Sequence, residues 1–599
     1  MIRSWLNTLL AAALGLVATA HSAAAESAQV TRFPADRSKN VNPDTHLVLT
    51  FPETPTLGVS GQIRIYDAAN DRLVDVLDLG IPPGPTTRAD AAAQAAPYTP
   101  TPYVYATGPR ATNANTKPGT PSGVSRTRLP GFQMTIIGGF TDAFHFYPVI
   151  VRDKTATIYP HNNLLEYGRT YYVQVDPGVL GSSAAFKGIT GKKGWTFSTR
   201  QTPPRAGLNW YVVDASGAGD FNTVQGALDF VPDENRLRVT IFIRNGTYEE
   251  IVYFRNKSNI TLLGEDREKT IVQYANNEVF NPHPPDVSTN EWPGTFPSRR
   301  AAFMGDQAKD VHLVNLTIQT TAKGQAEGLL LTGERNIVTR TTVVGSGDAL
   351  QVNGSAYFSD CRITGDGDTI LGRGAAFFDR CVLESRGPFM WIRNTAANHG
   401  NVFVNSRFKS LSGESDFARA PTNRGRSYPN AEAVMIDCAL DGISARGFGD
   451  IGGDASAIRF WEFNSTNASD GSPVDASKRN PASRRLDPVK DAEVIANYRS
   501  PAFVLGGWTP AMAPIILSSP EHAAAADGET VSFNVSAVAV PAPTFQWSRN
   551  SQPIVGATAA TLRIEKVGSA DAGSYQVTVT NASGSLTTRP VTLRVSRGR

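Results

Sequence analysis

Cysteine is almost missing from this chain: three residues in 599, Cys361, Cys381 and Cys438. An odd count rules out complete pairing, and none has a Cys or His neighbour at metal-ligand spacing, which argues against a zinc site. Excess charge of one sign is also missing. A net charge of +3 with no Lys/Arg block excludes the electrostatic footprint of a nucleic-acid binder. No apolar stretch is long enough to cross a bilayer. The longest run near the start, residues 9–20, falls short of the roughly 20 residues a spanning helix needs. What is there instead is a positive start, Met1-Ile2-Arg3, then that run, then Ala23-Ala24-Ala25 before Glu26. This is the layout of a secretory signal peptide, residues 1–25, cleaved near Ala25. The mature chain is expected to be secreted, extracellular or periplasmic, with no membrane partner and as a monomer. At 41% hydrophobic and 19% charged residues it is ordinary globular protein. At 599 residues it is too long for one core, so several domains are expected.

Three regions separate by pattern. Residues 26–200 hold short strand-like runs at 46–51, 62–66, 155–159 and 171–175 with Gly and Pro turns between them. They read as an Ig-like, β-sandwich-like module, with a mobile insertion at about 82–125 rich in Ala, Pro, Thr and Gly. Residues 514–597 form a second β module. Its Trp547 and Asp571-x-Gly573-x-Tyr575 corner resemble immunoglobulin domains, with Val535 and Val577 where that family usually places its disulfide. This C-terminal Ig-like sandwich is expected to act as a spacer, with a carbohydrate contact as the alternative.

Between them, at 206–510, one strand pattern repeats. Aligned on a single inward position it gives Leu316, Thr341, Cys361, Cys381, Ser406 and Cys438, spaced by 25, 20, 20, 25 and 32 residues. A period in the low twenties predicts a right-handed, single-stranded parallel β-helix in which each coil depends on its neighbours. A sandwich, the alternative, would not keep one ladder position over six strands. Rungs stack about 4.8 Å apart, so Cys361 and Cys381 either pair as a disulfide or remain inert core thiols.

Two aspartates stand out in Gly-rich corners, Asp348 in Gly345-Ser346-Gly347-Asp348 and Asp368 in Gly365-Asp366-Gly367-Asp368. Their separation, 368 − 348 = 20, equals the Cys361-to-Cys381 period. In register, they stack on one face, where like charges disfavour double ionisation and suit an ionised nucleophile beside a protonated acid. Plain turn aspartates and a calcium site are the competing readings of the spacing.

Several segments, taken in order, resemble the pectin methylesterase (pectinesterase) family. Gly219-Asp220-Phe221-Asn222-Thr223-Val224-Gln225-Gly226-Ala227-Leu228 is similar to its opening segment, and Ile243-Arg244-Asn245-Gly246-Thr247-Tyr248 to its next strand. Gln325-Ala326-Glu327-Gly328-Leu329 resembles Gln-Ala-Val-Ala-Leu, residues 345–350 resemble Gly-x-Gln-Asp-Thr-Leu, and residues 365–372 resemble Gly-x-x-Asp-Phe-Ile-Phe-Gly. Ala418-Arg419-Ala420-Pro421 falls where the family has Gly-Arg-Pro-Trp. The resemblance implies an aspartyl esterase that removes methyl groups from methyl-esterified homogalacturonan in pectin and uses no metal or organic cofactor. By position, Asp368 would be the nucleophile, Asp348 the general acid and base, Arg419 the residue that orients the nucleophile, and Gln325 an oxyanion donor. Trp391, Phe389, Tyr428 and Phe448 are the aromatics expected to bind sugar.

Three positions depart from the pattern. Gly347 replaces the family's second Gln, leaving backbone N–H or Gln351 to supply that donor. Thr369 replaces a Phe and Thr422 a Trp. Gly347 keeps open an esterase or thioesterase of the same fold with another substrate, and the flanking Ig-like modules fit a third function, a non-catalytic glycan-binding surface protein.

Overall fold

The computed structural model describes residues 30–90, 132–138, 144–181, 186–233, 235–282, 299–423, 425–451 and 454–596. The signal peptide and most of the 82–125 insertion lie outside these residues.

The central region is a parallel β-helix. Three parallel sheets run along it, of 11, 9 and 6 strands. One coil consists of Ser355–Ser359, Arg362–Gly365 and Ile370–Gly372, and the next of Ala375–Asp379, Val382–Ser385 and Met390–Ile392. The coils pair in strict register, Phe358 with Phe378, Ile363 with Leu383 and Ile370 with Met390.

The corner between the first and second strand of each coil explains the repeat. Asn315, Arg340, Asp360, Arg380, Asn405 and Asp437 all adopt φ between 50° and 60°. A single left-handed residue turns the chain there without consuming extra length. The residue after each corner points inward, and these are Leu316, Thr341, Cys361, Cys381, Ser406 and Cys438, all buried. Inside, the Phe358, Phe378 and Phe403 rings stack in sequence at 4.7 and 4.5 Å. Cys361 and Cys381 do not pair: all three cysteines are free thiols. Successive rungs point their side chains the same way. Cys361 lies against the carbonyls of Val338 and Ser359, each at 3.3 Å, and Cys381 against that of Asp379.

Upstream lie two sheets that enclose a core with Trp195 and Phe197 at its centre. One contains Thr31–Phe33, Leu47–Thr50, Thr155–Ile158 and Val149–Arg152. The other contains Ser38–Val41, Thr196–Thr199, Thr170–Val175, Gln62–Asp67 and Arg72–Asp78. The short pair Met134–Thr135 and Phe144–His145 leaves this body. It lies on the outer face of the six-stranded sheet, where Ile137 and Phe144 pack with Tyr253, Met304 and Leu330.

The C-terminal sandwich buries Trp547 between Val535 and Val577 without a disulfide. The Tyr575 hydroxyl donates to the Asp571 carbonyl at 2.7 Å, closing the expected corner. This domain is not a free appendage. Met512, Val538 and Val540, with Tyr498 and Val504 of the preceding helices, pack on Tyr357, Phe377, Val402 and Val434 outside the 11-stranded sheet.

Candidate active site

Asp348 and Asp368 each precede by two residues a pair in register, Leu350 with Ile370. The same corner therefore carries a carboxylate in two successive coils. The coils are tied there, with Ala349 N donating to Thr369 O (2.9 Å) and Asp366 N to Gly347 O (3.3 Å). Asp368 holds φ +45°, a left-handed conformation that Asp tolerates better than most residues. The two side chains differ in exposure, 7% for Asp348 and 21% for Asp368.

Arg419 meets the outer aspartate. Its Nη1 donates to Asp368 Oδ2 at 2.8 Å, and its Nη2 donates to Thr422 O at 3.4 Å. Arg419 is held because its own N–H donates to Met390 O at 3.0 Å, one coil beyond Asp368. Burial pushes the Asp368 carboxyl above its ordinary value, and Arg419 and Arg393 pull against that shift. Asp348 is pushed up to about 7, first by burial and further by Glu327 and Asp368, while Arg300 and Arg393 oppose the rise. Two neighbouring carboxyls of unequal environment share a proton as a unit.

Gln325 lies on the adjoining coil, beside Ala326, which pairs with Ser346. Its side chain is exposed and already engaged. With the amide nitrogen turned toward Glu278, it donates to that carboxylate at 3.0 Å. At Gly347 a side chain does not fit, because φ is +69° and a Cβ would lie 2.7 Å from Gly324 O. The second Gln of the resembled motif is thus sterically excluded by the coil above. Gln351 does face outward, in a ladder that runs Leu330, Gln351, Leu371, Trp391. Thr369 turns inward to hydrogen-bond Ser385 at 2.7 Å.

Of the four aromatic candidates, two are corrected. Phe389 and Phe448 are fully buried in the helix core. Phe389 packs edge-on to Phe408 and Phe448 stacks on Phe460, so no ring face is left for a sugar. Phe389 lies just before the strand Met390–Ile392 and Phe448 in an isolated bridge with Ala418, so neither direction is set by strand alternation. Trp391 and Tyr428 are half-buried and meet edge to face at 6.3 Å. The Trp391 ring also carries two guanidinium groups, Arg393 at 4.3 Å and Arg419 at 4.7 Å, and Tyr428 carries Arg373 at 5.4 Å.

Residues absent from the sequence reading complete the site. Arg300 Nη2 lies 2.9 Å from Asp348 Oδ2 and 2.5 Å from Glu327 Oε1. Arg300 Nη1 lies 3.8 Å from Glu278. Glu327 is visible as a charge just ahead of the strand Leu329–Glu334, where the resembled motif has Val; Arg300 has no such signal. Among the described residues no group of three or more His, Cys, Asp or Glu side chains is arranged to hold a metal ion.

Known proteins bear on this geometry. The family model described as Pectinesterase matches residues 211–464, and one described as Immunoglobulin domain matches residues 513–581. Probable pectinesterase 30 of Arabidopsis thaliana is 28% identical over 235 residues, 38% of this chain and 45% of that protein. Pectinesterase QRT1 of the same plant is 33% identical over 161 residues, 25% of this chain and 41% of that protein. The chain thus spans less than half the length of these relatives. A crystal structure of pectin methylesterase in complex with a hexasaccharide aligns at 24% identity and a TM-score of 0.40, covering 50% of this chain and 97% of that one. No helix among the described residues is long and apolar enough to cross a membrane.

Proposed function

We propose that the chain, whose residues 211–464 match the family model described as Pectinesterase, hydrolyses the methyl esters of galacturonate units in pectin, outside the cell that makes it. The observation that carries this reading is the unequal aspartate pair, with Asp368 hydrogen-bonded to Arg419 and Asp348 buried with its carboxyl raised to about 7.

The chemistry follows from that inequality. The Asp368 carboxylate attacks the ester carbonyl carbon, and the carbonyl electrons move onto oxygen. As the tetrahedral intermediate collapses, the bond to the methoxy oxygen breaks and Asp348 supplies the proton, so methanol leaves. The acyl group is then an anhydride on Asp368. Asp348, now a carboxylate, takes a proton from water as its oxygen attacks the same carbon, which frees Asp368 and restores the acid. Arg419 favours the ionised nucleophile through a charge-assisted hydrogen bond. Donors for the oxyanion come from Gln351, backbone N–H groups, or Gln325 once released from Glu278. Trp391 and Tyr428, ringed by Arg373, Arg393 and Arg419, offer the polyanionic chain a mixed aromatic and cationic surface.

The test is methanol release from methyl-esterified pectin by the wild type and by Asp368→Asn. Release by the wild type alone supports the reading, and equal release by both refutes it. The excluded side chain at Gly347 favours one second reading, an esterase of the same fold with another acyl substrate. Turnover of small aryl esters or thioesters with none of pectin would select it.

A further inference from the structure

Glu327 is fully buried, beside a reaction centre that already holds two carboxylates. We propose that Arg300 and Glu327 form a built-in charged pair that positions Asp348 and balances the charge around it. This inference rests on the reading of Asp348 as the acid and deepens it.

The geometry is specific. Arg300 donates from Nε to Glu327 Oε1 at 2.8 Å, and its Nη2 bridges that oxygen and Asp348 Oδ2. One guanidinium thus binds a permanently buried partner through one edge and the acid through a shared nitrogen. That is a rigid fork a lysine cannot reproduce. Glu327 fixes the plane of the guanidinium, and the guanidinium fixes Asp348 Oδ2. Asp348 Oδ1 is then the oxygen left to exchange a proton with the leaving group.

Stability alone does not account for the arrangement. Glu327 Oε2 is buried with no hydrogen-bond partner, and an incompletely satisfied buried ion pair is commonly no better than an apolar replacement. Glu327 lies between the buried Ala326 and Gly328, just ahead of the strand Leu329–Glu334 whose Leu329 and Leu331 enter the core, so nothing in the local packing calls for a charge. The charge has a local use. The groups acting on Asp348 are two cations, Arg300 and Arg393, and two anions, Glu327 and Asp368. Glu278 acts on Arg300, and Arg419 on Asp368. Without Glu327, the cations would favour early loss of the Asp348 proton. Without Arg300, three carboxyls would crowd one corner and the proton would be held too tightly. Burial alone would weaken the Arg300 cation, and Glu327, Asp348 and Glu278 together more than reverse that.

The two partners therefore act on Asp348 with opposite sign. The experiment follows the Asp348 carboxyl by carbon-13 detection in full-length protein labelled at aspartate, with the resonance assigned by its absence from Asp348→Asn. Arg300→Gln should raise the midpoint by about one unit, Glu327→Gln should lower it, and the double variant should return it toward the wild type. The alkaline limb of kcat/KM for methanol release should move in the same directions. That position does not depend on how much of the variant folds. If Arg300→Gln does not fold, Glu327→Gln and the double variant carry the test. Midpoints that stay put, or that move the same way, overturn the proposal. Opposite shifts in a protein that releases no methanol would uphold the pair and refute the pectinesterase reading instead.

Discussion

Arg419 reaches across one coil to donate from Nη1 to Asp368 Oδ2 at 2.8 Å, a bond that favours the ionised form of Asp368 against the burial that raises its carboxyl. Asp348 has Arg300 as a neighbour, but Arg300 also serves Glu327, whereas Arg419 serves no second carboxylate within ion-pair distance among the described residues. Arg419→Lys keeps the charge and loses the fork. It should lower kcat for methanol release by roughly 10–100-fold, while Asp368→Asn should reduce release to background. A Lys variant with full activity would show that charge alone suffices at this position.

The pH profile follows from the same pair. In the proposed reaction Asp348 must hold a proton to release methanol, and its carboxyl is pushed up to about 7 by burial, Glu327 and Asp368. Activity therefore falls as pH rises through about 7. In that reaction Asp368 must be ionised, and burial raises it above its ordinary value despite Arg419, so activity also falls on the acid side, at a higher pH than for an ordinary aspartate. The expected profile of kcat/KM is a bell whose two limbs belong to the pair. A profile flat from pH 5 to 9 would contradict the assignment.

Phe389 and Trp391, two residues apart, should fail in different ways. Phe389 is fully buried, so Phe389→Ala opens a cavity and should cost about 3–5 kcal/mol of stability, read as a lowered midpoint of denaturation. Trp391 faces outward among arginines. Trp391→Ala should leave the midpoint near the wild type and raise KM for pectin. The reverse pattern would mean that the strand is inverted.

The helical architecture was legible because its corner is a chain-local feature. One left-handed residue followed by one inward residue, as at Asp360-Cys361 and Arg380-Cys381, leaves a period that survives insertions of 5 to 12 residues. The aspartate pair was legible for the same reason, since its spacing equals that period. What was not legible depends on direction and on distant chain. Phe389 stands one residue before the strand Met390–Ile392, where alternation no longer sets direction, so it and Trp391 look alike in sequence. Arg300 reaches Asp348 from 48 residues away, with no pattern to announce it. The thiols show the limit of spacing as a guide: Cys361 and Cys381 are one rung apart yet both are free.

Those thiols should also be chemically silent. Burial pushes Cys438 up to about 12 and Cys381 well above its ordinary value, and the thiolate is the reactive species. Native protein should give almost no reaction with a disulfide reagent at pH 8. Denatured protein should release three equivalents, one per cysteine. A fast equivalent in the native state would place one thiol at the surface.

Glu278 links the upstream module to the reaction centre. Its segment is held by that module: His145 N–H donates to Asn281 Oδ1 at 2.8 Å, and Tyr147 stacks on Phe280 at 4.7 Å. Glu278 N–H donates to Gln325 O at 3.0 Å while its carboxylate takes the Gln325 amide. As placed, Glu278 occupies the donor that an oxyanion would need. Glu278→Ala frees that amide and should raise kcat, whereas Gln325→Ala should lower it, by up to about 10²-fold if the amide is a main oxyanion donor. The decisive measurement is the cycle. In the Gln325→Ala background, Glu278→Ala should bring no gain, because the two changes act through one hydrogen bond. An equal gain in both backgrounds would show that Glu278 acts through Arg300 instead, and that Gln325 takes no part in the reaction.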